Sequence, residues 1–418
     1  MKTNCWRECK LGDVIEIKHG YAFQGEYFST AGSHIVLTPG NFYDEGGFKQ
    51  KNDKEKWYTG PIPPEYVLKE GDLIVAMTEQ AEGLLGSSAL LPRSDLYLHN
   101  QRLGLVQVRD ENKADRRFLY YLFNSKSVRQ QIRASASGTK VRHTAPARIA
   151  DVNVSIPPIP LQRRIADILS AYDDLIENNQ RRTKILEEMA RSLYREWFVN
   201  FRFPGHEKVP LVASPLGNIP QGWEVKTVAE SFEISGGGTP SRREPSYWGV
   251  GTIQWFAPSD LTAVGTMFVD DSPEHITELG LAESSARLFP AYSVMMTSRA
   301  TIGAIAINTH EACTNQGFIT SLPNERVPLY FLFHWLTENV PQFERLASGA
   351  TFKEISRGVF KTIEFLHPSA PLVRRFESQV EPMAKQMLAL QRQIQNLRRT
   401  RGLLLPRLLS GQVNLTTN

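Results

Sequence analysis

The chain has 418 residues, 41% of them hydrophobic and 22% charged. That is a soluble globular composition and too much chain for one ordinary core, so two or more domains are expected. No run of about 18 apolar residues occurs, which argues against a membrane-spanning helix. The opening stretch Met1-Lys-Thr-Asn-Cys-Trp6 lacks the apolar centre of a signal peptide, so a cytoplasmic location is expected. Three cysteines, Cys5, Cys9 and Cys313, cannot build a disulfide framework, and Cys5 and Cys9 have no second Cys or His pair at zinc spacing. A formal charge of +4 permits nucleic-acid binding without arguing for it; the positions of the charges must decide.

In chain order, Trp6 leads into a strand-like stretch through Glu16-Ile17 to Lys18-His-Gly-Tyr21. Lys49, Lys51, Lys54 and Lys56 read as a solvated loop. Leu73-Ile-Val-Ala-Met77 and Leu103-Gly-Leu-Val-Gln-Val108 are short β-rich runs between turn residues. A helix from Arg117-Phe-Leu-Tyr-Tyr-Leu-Phe123 onward closes this part, and Pro157-Pro-Ile-Pro160 marks a boundary. From Leu161 to Trp197 neither Gly nor Pro interrupts an apolar repeat of helical period.

The second half repeats the plan. Trp223 with Glu233-Ile234 mirrors Trp6 with Glu16-Ile17, and Met295-Met-Thr297 mirrors Ala76-Met-Thr78. Asn315-Gln316 mirrors Asn100-Gln101, and Ala347-Ser-Gly349 mirrors Ala136-Ser-Gly138. Pro371-Leu-Val-Arg-Arg375 mirrors Pro160-Leu-Gln-Arg-Arg164. Five pairs in one order, with an offset between 219 and 211, mark a tandem duplication. Ser293-Val-Met-Met296 and Gly303-Ala-Ile-Ala-Ile307 are strand-like, and Leu329-Tyr-Phe-Leu-Phe-His-Trp335 opens the closing helix. Trp6 and Trp223 read as core anchors.

After Leu372 the residues Phe376, Val380, Met383, Met387, Leu390, Ile394 and Leu397 step alternately by four and three, and Leu404 follows. This is a coiled-coil seam. The matching positions of the first helix are Ile165, Leu169, Tyr172, Ile176, Asn179, Thr183, Leu186 and Leu193. Only Asn179 and Thr183 are polar, and polar seam residues fix register at a cost in stability. The expected fold class is α+β: two similar β-rich mixed α/β domains separated by two long antiparallel helices, with an internal pseudo-two-fold. Boundaries are expected at 1–156, 157–204, 205–367 and 368–418. At 1.5 Å rise per residue each helix spans roughly 50 Å, a stiff ruler between two similar readers.

Several segments resemble type I restriction-modification specificity subunits. Leu186-Glu-Glu-Met-Ala190, Leu193-Tyr-Arg-Glu-Trp-Phe-Val199 and Phe201-Arg-Phe-Pro-Gly205 resemble the central conserved region of that family. Gly217-Asn-Ile-Pro-Gln-Gly-Trp223, Gly237-Gly-Thr-Pro-Ser241 and Tyr247-Trp248 resemble the start of its second target-recognition domain, and Gly20-Tyr-Ala-Phe23 with Tyr27-Phe28 is family-like in the first. Leu403-Leu-Leu-Pro-Arg-Leu-Leu-Ser-Gly411 resembles its C-terminal end. The resemblance implies binding to double-stranded DNA, to two methyltransferase subunits through the conserved helices, and to restriction-translocation subunits. Candidate partner-binding residues are Leu186, Met189, Leu193, Trp197, Leu397 and Leu404.

A DNA reader needs Lys or Arg for phosphates and polar or aromatic side chains for bases. In the first half Lys18, Tyr21, Arg102, Thr139, Lys140 and Arg142 fit that need, and in the second Arg242, Arg243, Trp248, Arg299, Thr351 and Lys353. The two Asn-Gln pairs read as satisfying backbone rather than adenine edges. An adenine methyltransferase motif is not seen: Pro63-Pro64 is followed by Glu65 and Pro157-Pro158 by Ile159. Gly236-Gly-Gly238 runs into Thr-Pro, without the Lys-Ser/Thr of a phosphate loop. The chain is therefore expected to be a non-catalytic specificity subunit that needs no cofactor. The alternatives are a coiled-coil scaffold without DNA contact and an unrecognised DNA-modifying enzyme.

Overall fold

The strand Leu73–Ala76 is apolar at every position because both of its faces are covered. Leu73 and Val75 enter one core with Phe118, Ile165 and Leu169. Ile74 and Ala76 enter another with Ile35, Leu37 and Tyr97. The second half does the same with Val294 and Met296 on one face and Met295 on the other. The computed structural model describes residues 6–51, 54–79, 83–349, 351–413 and 415; Cys5 lies outside them.

Two units divide the chain, one comprising Met1–Glu177 and Ile394–Asn418 and the other Asn178–Gln393, so the division falls inside each long helix. In the first unit the main sheet runs Ile15–His19, Leu103–Val108, Leu73–Ala76, Ser88–Leu90. In the second it runs Glu233–Gly236, Phe318–Leu322, Val294–Arg299, Thr301–Asn308, Phe268–Val269. Each unit adds a smaller sheet built on one parallel pair. Ile35 lies against Tyr97 in the first unit, and Trp255 against Cys313 in the second. Each also has a two-stranded closure, Arg7–Lys10 with Asn153–Ile156 and Glu224–Thr227 with Glu364–His367. The duplication in the sequence is thus a duplication of topology. Trp6 packs against the first core, and Trp223 is buried in the second.

The first long helix is Ile159–Tyr194 and the second Ala370–Leu409. Pro160 sits in the first turn, where its missing N–H costs nothing. In the first unit their segments run antiparallel: Asp173 pairs with Arg401, and Ile165 shares its core with Leu408. In the second unit the direction is again antiparallel. Asn179 is buried and its amide donates to Gln393 Oε1 (3.3 Å), while Phe376 lies 6.2 Å from Trp197. The polar seam position therefore has a polar partner. The apolar residues off the seam, Leu175, Ile185 and Met189, are exposed.

The first helix does not run regularly to Trp197. It ends at Tyr194, and Arg195–Val199 forms a wider π turn. The turn swings Trp197 and Phe198 into the second core, where Phe198 lies 4.9 Å from Phe331 and 5.2 Å from Phe376. Phe201 then adopts a left-handed backbone, φ 58°, and Phe203 stacks on Trp223. Among the described residues no helix is long and apolar enough to cross a membrane.

Candidate nucleic-acid interface

One chain crossing in each unit is too tight for a side chain. A Cβ on Gly20 would collide with the carbonyls of His99 and Asn100, and one on Gly237 with those of Thr314 and Asn315. The Tyr21 N–H donates to the His99 carbonyl (2.8 Å) and the Gly238 N–H to the Thr314 carbonyl (2.8 Å). Asn100 Oδ1 accepts from the Arg102 N–H (3.0 Å) and Asn315 Oδ1 from the Gly317 N–H (2.8 Å). Both Asn residues hold their turns, as expected.

The Ala-Ser-Gly segments are hairpin loops. Ser137 and His143 exchange two backbone bonds (2.9 and 2.8 Å), and Ser348 and Glu354 exchange the equivalent pair (3.0 and 2.9 Å). Gly138 and Gly349 have φ of 98° and 133°, and a Cβ on either would strike the carbonyl of the loop residue three positions on. Thr139, Lys140, Thr351 and Lys353 are exposed. Arg142 is half-buried and pairs along the strand with Glu79. Arg299 pairs with Glu354, their charges 3.8 Å apart.

Sheet order gathers these pieces. The end of Ile15–His19, the start of Leu103–Val108 and the end of Leu73–Ala76 are adjacent in the first unit, which brings Lys18, Tyr21 and Arg102 to one end of the main sheet. The 138–142 loop joins them there, because its strand Arg142–His143 pairs with Thr78–Glu79, just beyond Ala76. In the second unit the Gly237 turn, Arg299 and the 349–353 loop meet at the same end.

The aromatic and basic side chains differ between the units. Lys18 Nζ lies 4.8 Å from the Tyr66 ring and donates to the Glu65 carbonyl (3.1 Å). The ring of the exposed Tyr21 lies 5.3 Å from that of Tyr66. Sequence reasoning missed Tyr66; its neighbour Pro64 marks a turn, but nothing local ties it to Lys18. His99, buried behind Tyr66, has its pKa pushed down to about 4 by burial. In the second unit the Arg242 guanidinium lies 3.7 Å over Trp248 and forks onto Glu274 (2.5 and 2.7 Å). The hydrogen bond to Glu274 holds the Arg242 pKa above its ordinary value. Arg242 is thus paired, and a phosphate would have to compete with a carboxylate for it. Arg243 is exposed, and Trp248 is half-buried, its indole N–H on the Ser241 carbonyl (3.1 Å). Lys51 corrects the solvated-loop reading: it is half-buried, Nζ donates to Thr38 Oγ1 (2.6 Å), and burial lowers its pKa.

Of the partner-facing candidates, Leu186 and Leu193 are half-buried against the second core and Met189 is half exposed. Trp197 is 5% exposed inside its own core, so it shapes that surface from beneath rather than offering a contact. Leu397 is half-buried, and Leu404 packs against the first core. Beside Leu404 a cavity of about 1320 Å³ opens within the first unit, lined by Arg398, Leu403 and Arg407 on one side and Tyr121 and Val128 on the other. Among the described residues no group of three His, Cys, Asp or Glu is placed to hold a metal ion.

A family model described as "Type I restriction modification DNA specificity domain" matches residues 4–188 and 220–371. Over 304 residues the chain is 26% identical to the "Type I restriction enzyme MjaIX specificity subunit" of Methanocaldococcus jannaschii, covering 71% of this chain and 69% of that one. It is 24% identical over 357 residues to the "Type I restriction enzyme HindI specificity subunit" of Haemophilus influenzae, covering 71% and 77%. The solved type I restriction-modification S subunit from M. genitalium shares the fold, with a TM-score of 0.64 at 15% identity over 100% of this chain and 98% of that one. The two matched segments fall one on each half of the duplication, and the chain belongs to the type I restriction-modification DNA specificity family.

Proposed function

We propose that the chain is the sequence-reading subunit of a type I restriction-modification complex and has no catalytic activity of its own. Each unit reads one half of a two-part DNA site. The observation that carries this is the repeated cationic loop and glycine turn at one end of each main sheet, in a chain of the specificity family. Lys18, Tyr21, Arg102, Thr139, Lys140 and Arg142 face one half-site, and Arg243, Arg299, Thr351 and Lys353 the other. Arg242 and Trp248 form a buttress behind Arg243. Phosphate contacts from the cations position the units, and base contacts specify.

The partners follow from the same reading. Two methyltransferase subunits dock on the helical surfaces around Leu186, Met189 and Leu193 and around Leu397 and Leu404, one per half of the duplication. Restriction-translocation subunits join through them, in the cytoplasm. Because the units differ outside their shared framework, the half-sites differ and the site is asymmetric. Two experiments test this. A gel shift on random duplex DNA, with and without the methyltransferase partners, should show binding, which a scaffold without DNA contact would lack. Methylome sequencing of a host carrying the complete system should return two unlike half-sites around a fixed spacer; a perfect palindrome would count against the reading.

A further inference from the structure

The loop 349–353 carries an exposed side chain that phosphate contact does not explain. Phe352 is 57% exposed, and among the described residues no other aromatic ring lies against it. Its mount is stiff. Ser348 and Glu354 close the loop with two backbone bonds, and Gly349 at φ 133° tucks beneath the Phe352 carbonyl. The next carbonyl, of Lys353, accepts from the Ala300 N–H (2.9 Å), where Ala300 itself is held at φ 62°. Lys353 follows Phe352 in the chain and is exposed, and Arg299 is paired to the same loop at Glu354. The equivalent position in the first unit is Val141, which is half-buried.

We propose that Phe352 is a wedge that enters the DNA of the second half-site and packs its ring between two adjacent bases. The inference rests on the half-site reading above. An exposed apolar ring on a hydrogen-bonded loop, next to an exposed lysine, has the chemistry of a wedge side chain: the lysine holds a phosphate while the ring unstacks one step. Val141 is too short and too buried for this, so only one of the two half-sites is deformed.

The test uses the full chain with its methyltransferase partner and duplexes of the methylome-defined site, with 2-aminopurine at each position of the second half-site in turn. Wild type should brighten several-fold at one step, because unstacking relieves quenching. Phe352→Ala should abolish that rise and weaken binding by about 5- to 100-fold. Phe352→Trp should retain both, and Lys353→Ala should flatten the salt slope by about one. No bright step in wild type, or a rise that survives in Phe352→Ala, overturns the wedge. If wild type with its partner binds none of the duplexes, the half-site reading itself falls, and the wedge with it.

Discussion

The two units have the same skeleton and different faces. Gly20 against Asn100 and Gly237 against Asn315 are one device used twice, as are the Ser137–His143 and Ser348–Glu354 loops. The side chains mounted on that skeleton do not correspond. The first unit gathers Lys18, Tyr21 and Tyr66; the second gathers Arg242, Trp248 and Glu274. Tight backbone crossings and buried seams tolerate few residues, whereas exposed loop positions tolerate many. A reader can therefore change its target without changing its fold.

The shared skeleton should break hardest in the seam. Phe376 and its counterpart Ile165 are 0% and 1% exposed. Phe376→Ala should cost about 3–5 kcal/mol and Ile165→Ala about 2–5 kcal/mol, whereas Met189→Ala, off the seam, should stay within about 0.5 kcal/mol. Thermal unfolding of the whole chain checks all three. Next come the glycine crossings. Gly20→Val and Gly237→Val should each cost about 1–3 kcal/mol and each impair recognition of its own half-site only, read by methylation of sites mutated in one half.

Acid response should separate the units. Burial pushes His99 in the first unit, and His334 and His367 in the second, down to about 4. Their stabilising contribution is full above about pH 6.5 and lost as pH falls toward 4. Glu377 in the second unit opposes this. It accepts the Phe331 N–H (2.6 Å) near the start of helix Leu329–Leu346, yet burial raises its pKa to about 7. Its ionisation costs stability as pH rises from about 4.5 through 7. Glu377→Gln keeps an acceptor without the charge, so the variant should be more stable than wild type by roughly 1–3 kcal/mol at pH 8. The difference should vanish below pH 4.5; urea unfolding at both pH values reads it. The smallest effect belongs to the loop cations. Arg142→Ala or Lys353→Ala should weaken binding to all sequences alike and flatten the salt slope by about one each. An altered motif with unchanged slope would make them base readers.

Much of the skeleton was legible because its signals are local. A four-three apolar step sits within a few turns of one helix, and the repeated short motifs show in the sequence itself, so neither needs knowledge of the fold. Of the Asn-Gln pairs, Asn100 and Asn315 accept backbone N–H groups, as an Asn beside a turn most simply does, whereas Gln316 accepts from the Thr239 hydroxyl. What escaped depends on distant chain. The π turn at Arg195–Val199 forms where Trp197 and Phe198 meet Phe376 and Phe331, far along the sequence. Tyr66 reaches Lys18, and Glu274 takes Arg242, only once loops are placed. Lys51 looked like one of four solvated lysines until Thr38 and burial set it apart.

The central claim is that each unit reads one half-site independently. The direct measurement is methylome sequencing of a host in which residues 1–155 are replaced by the corresponding segment of another family member, with the rest of the system intact. The expected result is a site in which one half changes to that of the donor protein while the other half stays as it was. A change in both halves, or in neither, would mean that readout is shared between the units or lies outside them, and would contradict the claim.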